Sequence, residues 1–127
     1  MSQALTELGW KVAGCQFIQH HNLRSQVLEL AFRFIESNSF NAFQDNPWPI
    51  IFKDLDVRYP GSKFVVTTRN VDDWYESNLN HFGDQTTPMR EFIYGEGCGS
   101  PMGNELAYKR RFKSHYSSVE QYFSRQV

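Results

Sequence analysis

An arginine and a serine eight positions apart could together bind a phosphate group in this chain. Arg69 follows the β-prone stretch 63–68, and Ser77 lies about two turns into the helical stretch that comes next. A guanidinium presents forked N–H donors that match phosphate oxygens, and a serine hydroxyl adds another donor. The alternative is structural: the arginine closes a sheet edge, and the serine is an ordinary residue on a helix surface.

A strand and a helix are predicted to position these two residues. The β-rich run 64–66 lies between turn residues and predicts a buried strand over 63–68. Asn70 is a favoured N-cap with acidic residues following it, which predicts a helix over 70–80 whose first N–H groups favour an anion. Ser77 lies about 10 Å along that helix at 1.5 Å per residue. One phosphate therefore meets both side chains only if it lies along the helix flank.

The rest of the chain alternates between helical and β-prone stretches. Apolar residues recur at helical spacing in the longer stretches and form short runs between turn residues elsewhere. The pattern predicts helices over 2–8, 22–36, 46–59, 89–94 and 104–124, strands over 10–15 and 40–43, and a glycine-rich loop over 95–103. This alternation predicts an α/β fold in which a small, mainly parallel sheet is flanked by helices.

Size and charge narrow the class of protein. With 127 residues the chain is long enough for one domain with a core of its own, predicted over 1–127. The net charge is −1 and the basic residues are dispersed, so no nucleic-acid partner is predicted. No apolar run approaches the roughly 20 residues of a membrane span, so no membrane partner is predicted either, and the N-terminus shows no signal-peptide pattern.

The cysteines and paired histidines give little support for a metal or disulfide framework. Cys15 and Cys98 are isolated and lack CxxC spacing, which is typical of a reducing compartment. His20 and His21 are adjacent rather than four apart on a helix, so no metal site is predicted. These features predict a cytoplasmic protein without a metal cofactor.

Six short segments spread over nearly the whole chain carry a family resemblance. In order they are Ala4-Leu5-x-x-Leu8-Gly9-Trp10-x-Val12, Asp45-x-Pro47-Trp48-Pro49, Tyr59-Pro60-Gly61-Ser62-Lys63-Phe64, Thr68-Arg69-Asn70, Trp74-Tyr75-x-Ser77 and Arg111-Phe112-x-x-His115-x-x-Ser118-Val119-x-x-Tyr122-Phe123. Together they resemble the P-loop-like sulfotransferases, and in particular the small sulfotransferase-family branch found in bacteria and eukaryotes. The resemblance implies a P-loop-like three-layer fold.

The resemblance also implies a donor and an activity. The family transfers a sulfuryl group from 3′-phosphoadenosine 5′-phosphosulfate to a hydroxyl or amine acceptor, and Arg69 and Ser77 match the family pair that holds the 3′-phosphate. The family holds the 5′-phosphosulfate with a loop between its first strand and first helix, and no counterpart of that loop is found here. We therefore expect a partial, truncated domain whose activity alone is doubtful. The glycine-rich segment 95–100 lacks a lysine, and we interpret it as a mobile loop rather than a phosphate cradle.

Other residues receive candidate roles from the same resemblance. In many relatives a histidine at the position of Asp45 acts as the general base, so Asp45 is the candidate general base here. The alternative is that Asp45 caps the helical turn at Trp48. His115 matches a family histidine, which we expect to pack or orient the last helix. A basic patch on that helix is either a solvated face or a contact for the donor's phosphates or an anionic acceptor. The patch comprises Lys109, Arg110, Arg111 and Lys113.

The sequence leaves three function classes open. The chain is a sulfotransferase-family protein, a non-catalytic module that binds a 3′-phosphonucleotide, or a ligand-free oligomerisation or interaction protein. A truncated sheet leaves unpaired edges, which proteins normally cover. We therefore expect a second copy forming a homodimer, an exchange of elements, or a repacked small sheet to cover them.

Overall fold

The computed structural model describes residues 2–13 and 27–124. The chain divides into two compact units, Met1–Pro60 and Gly61–Val127, and each is described by itself. Cys15, the histidine pair at 20–21 and the first part of the predicted 22–36 helix lie outside the described residues. The assignment of 1–127 to a single domain stays a prediction.

The first unit contains the small sheet. Its elements are helix α1 (Ser2–Glu7), strand β1 (Val12–Ala13), helix α2 (Val27–Ser37), strand β2 (Ala42–Phe43), a 3₁₀ turn (Trp48–Ile51) and helix α3 (Phe52–Arg58). The two strands run parallel, with Val12 opposite Ala42 and Ala13 opposite Phe43. The predicted α/β class, a small parallel sheet flanked by helices, is therefore confirmed.

The core of this unit forms where α2 meets the 3₁₀ turn. Ala31, Trp48 and Ile51 are buried together there. The indole ring of Trp48 lies 4.7 Å from the ring of Phe43 and 5.9 Å from that of Phe34, measured between centroids. Since aromatic pairs at these spacings add to the burial of apolar area, this cluster anchors the short β2 strand against the helix.

The second unit is built from three helices, α4 (Val71–Phe82), α5 (Pro88–Tyr94) and α6 (Glu105–Ser124). Helix α4 begins where the sequence predicts, because the side chain of Asn70 accepts hydrogen bonds from the backbone N–H groups of Asp72, at 2.8 Å, and Asp73, at 3.1 Å. Helices α5 and α6 match their predicted bounds to within a residue.

The predicted strand over 63–68 is wrong. Residues 62–70 form no regular secondary structure, and Val65 and Val66 are 73% and 45% exposed instead of buried. A β-prone run becomes a strand only when a neighbouring strand accepts its N–H and C=O groups. The described residues of the second unit provide no such strand, so the run stays without a strand partner. Of the predicted strand 10–15, residues 10–13 are described, and among these the pairing covers Val12–Ala13.

An aromatic cluster holds the second unit together. Tyr108 of α6 is fully buried and its ring stacks on that of Tyr94 at 3.6 Å between centroids, with the ring planes 10° apart. Trp74 of α4 packs on Phe112 at 4.7 Å. The Tyr75 hydroxyl donates a 2.7 Å hydrogen bond to the carbonyl of Pro101, which ties the glycine-rich loop to α4. Tyr108 is therefore the buried residue of α6 around which this core forms.

The glycine-rich loop packs against α5 through Gly99. A Cβ atom built at that position would lie 2.4 Å from Cγ2 of Thr86 and 2.6 Å from Cγ of Glu91, so only glycine fits. The Arg90 side chain donates through Nε to the Gly99 carbonyl at 2.9 Å and through its terminal nitrogen to the Gln85 carbonyl at 2.6 Å. The second half of the loop is thus a packed connection, which differs from the mobile loop expected from composition.

Candidate phosphate-binding site

Ser77 lies on the exposed flank of α4 and lines an open depression there. The other residues lining this depression are Asp73, Glu76, Asn80 and His81, all on the same helix. Their spacing of three and four positions places them on one side of the helix, as α-helical geometry requires. The depression therefore offers a hydroxyl, an amide and an imidazole, together with two carboxylates that repel an anion.

Arg69 immediately precedes the N-cap of α4 and is exposed. Within residues 2–13 and 27–124, its guanidinium takes part in no hydrogen bond or ion pair. It does not line the depression beside Ser77. The structure thus leaves the donors of both residues accessible, and their joint grip on one phosphate stays a prediction.

Lys109 of α6 is engaged in two ion pairs. Its ammonium nitrogen lies 2.7 Å from a carboxylate oxygen of Asp72 on α4 and 2.6 Å from one of Glu105 on its own helix. These carboxylates raise the pKa of Lys109, and the lysine lowers the pKa of Asp72. The lysine side chain is only 23% exposed and lies 5.5 Å above the Tyr75 ring. The interpretation of the basic patch as a solvated face is therefore wrong for Lys109.

Asp45 belongs to the first unit, whereas Arg69 and Ser77 belong to the second. It is exposed, has a positive φ of 64°, and its backbone carbonyl accepts a hydrogen bond from the Trp48 N–H at 3.2 Å. Aspartate tolerates this left-handed conformation better than most residues. The N-cap of the 3₁₀ turn is Pro47, with no side-chain cap bond. Asp45 thus contacts the turn at Trp48 through its backbone carbonyl, and its role as a base stays a prediction.

Comparison with protein families identifies the class of this chain. The family model described as "Sulfotransferase domain" matches residues 1–126, almost the whole sequence. The chain belongs to the sulfotransferase domain family. Neither the curated proteins nor the solved structures gave a match. The resemblance drawn from the six segments is thus confirmed at the level of family.

His115 of this sulfotransferase domain lies half-buried on α6, as expected for a packing residue. Its ring makes an edge contact with Tyr116 at 5.8 Å between centroids. Burial lowers the pKa of His115, and the positive charge of Arg111 lowers it further. The imidazole is thus held toward its neutral form.

The described residues contain neither a metal-binding cluster nor a membrane-spanning helix. In 2–13 and 27–124 no group of three histidine, cysteine, aspartate or glutamate side chains is arranged to hold a metal ion. In those same ranges no helix has both the length and the apolar character needed to cross a membrane.

Sequence reasoning missed the contacts that α6 makes to the start of α4. The Glu105 and Lys109 pair is visible as an i, i+4 spacing, but the second partner, Asp72, lies 37 positions away. The hydroxyl of Tyr116 likewise donates to the Thr67 carbonyl, 49 positions earlier. Such contacts depend on how two helices pack, which one sequence does not reveal.

Proposed function

We propose that this sulfotransferase domain binds a 3′-phosphorylated adenine nucleotide along the flank of α4, with Arg69 and Ser77 holding the 3′-phosphate. The observation that carries the proposal is that both side chains have accessible donors, eight positions apart on one short segment, in a chain whose family match spans 1–126. Charge-assisted bonds from a guanidinium are stronger than neutral ones, so Arg69 supplies most of the affinity.

The electrostatics of the depression make Arg69 essential to this proposal. Asp73 and Glu76 share the depression with Ser77 and disfavour an anion there. A phosphate beside Ser77 must therefore gain more from Arg69 than it loses to the carboxylates. Since all these groups are exposed, the balance is sensitive to ionic strength, and affinity should fall as salt is added.

The donor implied by the family is 3′-phosphoadenosine 5′-phosphosulfate, and the acceptor is a small molecule with a hydroxyl or amine group. This donor supplies the sulfuryl group and leaves as adenosine 3′,5′-bisphosphate. Asp45 is our candidate for the base that accepts the proton of the acceptor. No metal is required for the proposed role of these residues. The proposed compartment is the cytoplasm.

Calorimetric titration with adenosine 3′,5′-bisphosphate tests the binding proposal. We expect the wild-type protein to bind, Arg69→Ala to bind about tenfold or more weakly, and Arg110→Ala, which removes an exposed arginine of α6, to bind as the wild type does. Absence of wild-type binding at millimolar nucleotide, or equal losses in both variants, contradicts the proposal.

Turnover is tested separately from binding. The assay follows sulfated product from isotopically labelled donor with a panel of phenols, alcohols and amines. The enzymatic form of the proposal is supported if the wild type forms sulfated product and Asp45→Asn forms none while binding the nucleotide with the same affinity. Nucleotide binding without any product supports a non-catalytic module that retains the 3′-phosphate pocket.

We propose that a second copy of the chain binds the exposed β-prone segment 63–68. Val65 and Val66 are exposed, in a stretch without a strand partner among the described residues of the second unit, and exposed apolar residues on unpaired backbone favour association. Sedimentation velocity on the wild type and on Val65→Lys tests this. A wild-type dimer that the lysine dissociates supports the homodimer, and a wild-type monomer contradicts it.

A further inference from the structure

Helix α6 contacts the chain on both sides of Arg69. Before it, the hydroxyl of Tyr116 donates a 2.5 Å hydrogen bond to the backbone carbonyl of Thr67. After it, the ammonium group of Lys109 pairs with the carboxylate of Asp72 at 2.7 Å. The arginine is therefore the middle of a six-residue stretch, 67–72, that one helix holds at each end.

These contacts matter because residues 67–69, the part of the stretch before the capped start of α4, have little else to fix them. Residues 62–70 form no strand, so the sheet ladder that would normally hold such a segment is not formed. The Phe64 ring packs on Phe123 at 5.2 Å, farther from the arginine, and the Asn70 side chain caps α4. A flexible arginine would lose conformational entropy on binding a phosphate, so holding its backbone in advance reduces that cost.

The effect of Lys109 on this segment is a matter of contact rather than of long-range attraction. Its charge is matched by two carboxylates, Asp72 and Glu105, so it adds no net positive charge that would draw in an anion. Lys113 lies one turn further along α6 and also lowers the pKa of Asp72, but through its charge alone. The two lysines thus differ in contact while sharing charge and helix.

We propose that Lys109 and Tyr116 are positioning residues for the Arg69 site, acting by holding the 67–72 stretch against α6. This inference rests on the function proposed above and adds to it the two side chains that pre-form the phosphate-binding segment. Neither residue has to touch the nucleotide. Their removal changes the order of the segment first and the affinity of the nucleotide as a consequence.

Hydrogen exchange and calorimetry on matched variants test this inference. Lys109→Met and Tyr116→Phe each remove one contact between α6 and the 67–72 stretch. Lys113→Met removes the same charge without an ion pair, and Lys109→Arg keeps the bridge to Asp72. We expect faster exchange of the backbone amides at 72–74 in the first two variants, and nucleotide affinity about threefold to fivefold weaker, as for loss of one exposed polar contact. Lys113→Met and Lys109→Arg should match the wild type in both readouts.

The outcomes separate the two proposals. If the wild type binds no nucleotide, the proposed function is refuted, while the exchange rates still decide whether α6 holds the segment. Exchange in Lys109→Met that equals exchange in Lys113→Met refutes the positioning role. Nucleotide binding that Lys109→Met and Tyr116→Phe leave unchanged refutes it as well, even if exchange becomes faster.

Discussion

Two neighbouring tyrosines of the second unit should respond in opposite directions to the same substitution. Tyr108 is fully buried, and within the described residues its hydroxyl has no hydrogen-bond partner. Tyr75 is 8% exposed, lies 6.2 Å away between ring centroids, and its hydroxyl donates to the Pro101 carbonyl. Replacing either by phenylalanine removes one oxygen atom and leaves the ring contacts in place.

The magnitudes follow from what each hydroxyl does. A buried, unpaired hydroxyl costs about 1–3 kcal/mol of desolvation, so Tyr108→Phe should raise the free energy of unfolding by about 1 kcal/mol. Tyr75→Phe breaks the bond to the Pro101 carbonyl, which keeps a 3.1 Å bond from the Asn104 N–H. It should therefore lower that free energy by about 1 kcal/mol, the net contribution of one hydrogen bond. Burial also raises the pKa of Tyr108, because the buried site does not solvate the charged phenolate.

Urea unfolding of the two variants measures the difference. The indole N–H resonance of Trp74 reports on the second unit alone, because the other tryptophans, Trp10 and Trp48, lie in the first. We expect midpoints on opposite sides of the wild type with an unchanged dependence on urea. A loss of stability in Tyr108→Phe equal to that in Tyr75→Phe would refute the reasoning, since it would mean that the Tyr108 hydroxyl is hydrogen-bonded.

Three further predictions concern pH, packing and charge. Burial, and then the charge of Arg111, lower the pKa of His115 in the folded protein. The contribution of His115 to stability is therefore fully present above the unfolded pKa of about 6.5 and is lost as pH falls through the folded pKa. Urea unfolding between pH 5 and 7.5 should show this loss in the wild type and not in His115→Gln. Gly99→Ala should lower the free energy of unfolding by about 1–3 kcal/mol through overpacking. Adding Thr86→Ser removes the closest methyl group and should recover part of that free energy in the same assay. Asp73→Asn should tighten binding of adenosine 3′,5′-bisphosphate up to about fivefold, as for removal of one exposed like-charge contact, and calorimetry showing weaker binding would contradict the proposed place of the phosphate.

The sequence predicts those elements whose signals are local. Asn70 followed by acidic residues gives α4 its start, and the apolar stripe of α6 repeats at helical spacing, so both helices form where the pattern places them. The strand over 63–68 fails for the opposite reason. Its composition suits a strand, but a strand needs a partner, and no local pattern supplies that information.

The same difference between local signals and tertiary contacts decides which parts of the candidate site the sequence predicts. The spacing of Arg69 and Ser77 is visible in the sequence, and the acidic neighbours of Ser77 follow from helical geometry once α4 is assigned. The ties from Lys109 and Tyr116 to the start of α4 are tertiary contacts between distant parts of the chain. They were not predictable from one sequence, because they depend on the angle and register at which two helices pack.

A comparison of two nucleotides tests the central claim of a 3′-phosphate site most directly. The measurement is the affinity of the wild type and of Arg69→Ala for adenosine 3′,5′-bisphosphate and for adenosine 5′-monophosphate, which lacks the 3′-phosphate. We predict that the wild type prefers the bisphosphate by about tenfold or more, the size expected for one charge-assisted contact, and that Arg69→Ala binds the two nucleotides equally. Equal affinities in the wild type, or a preference that survives in Arg69→Ala, would contradict the account.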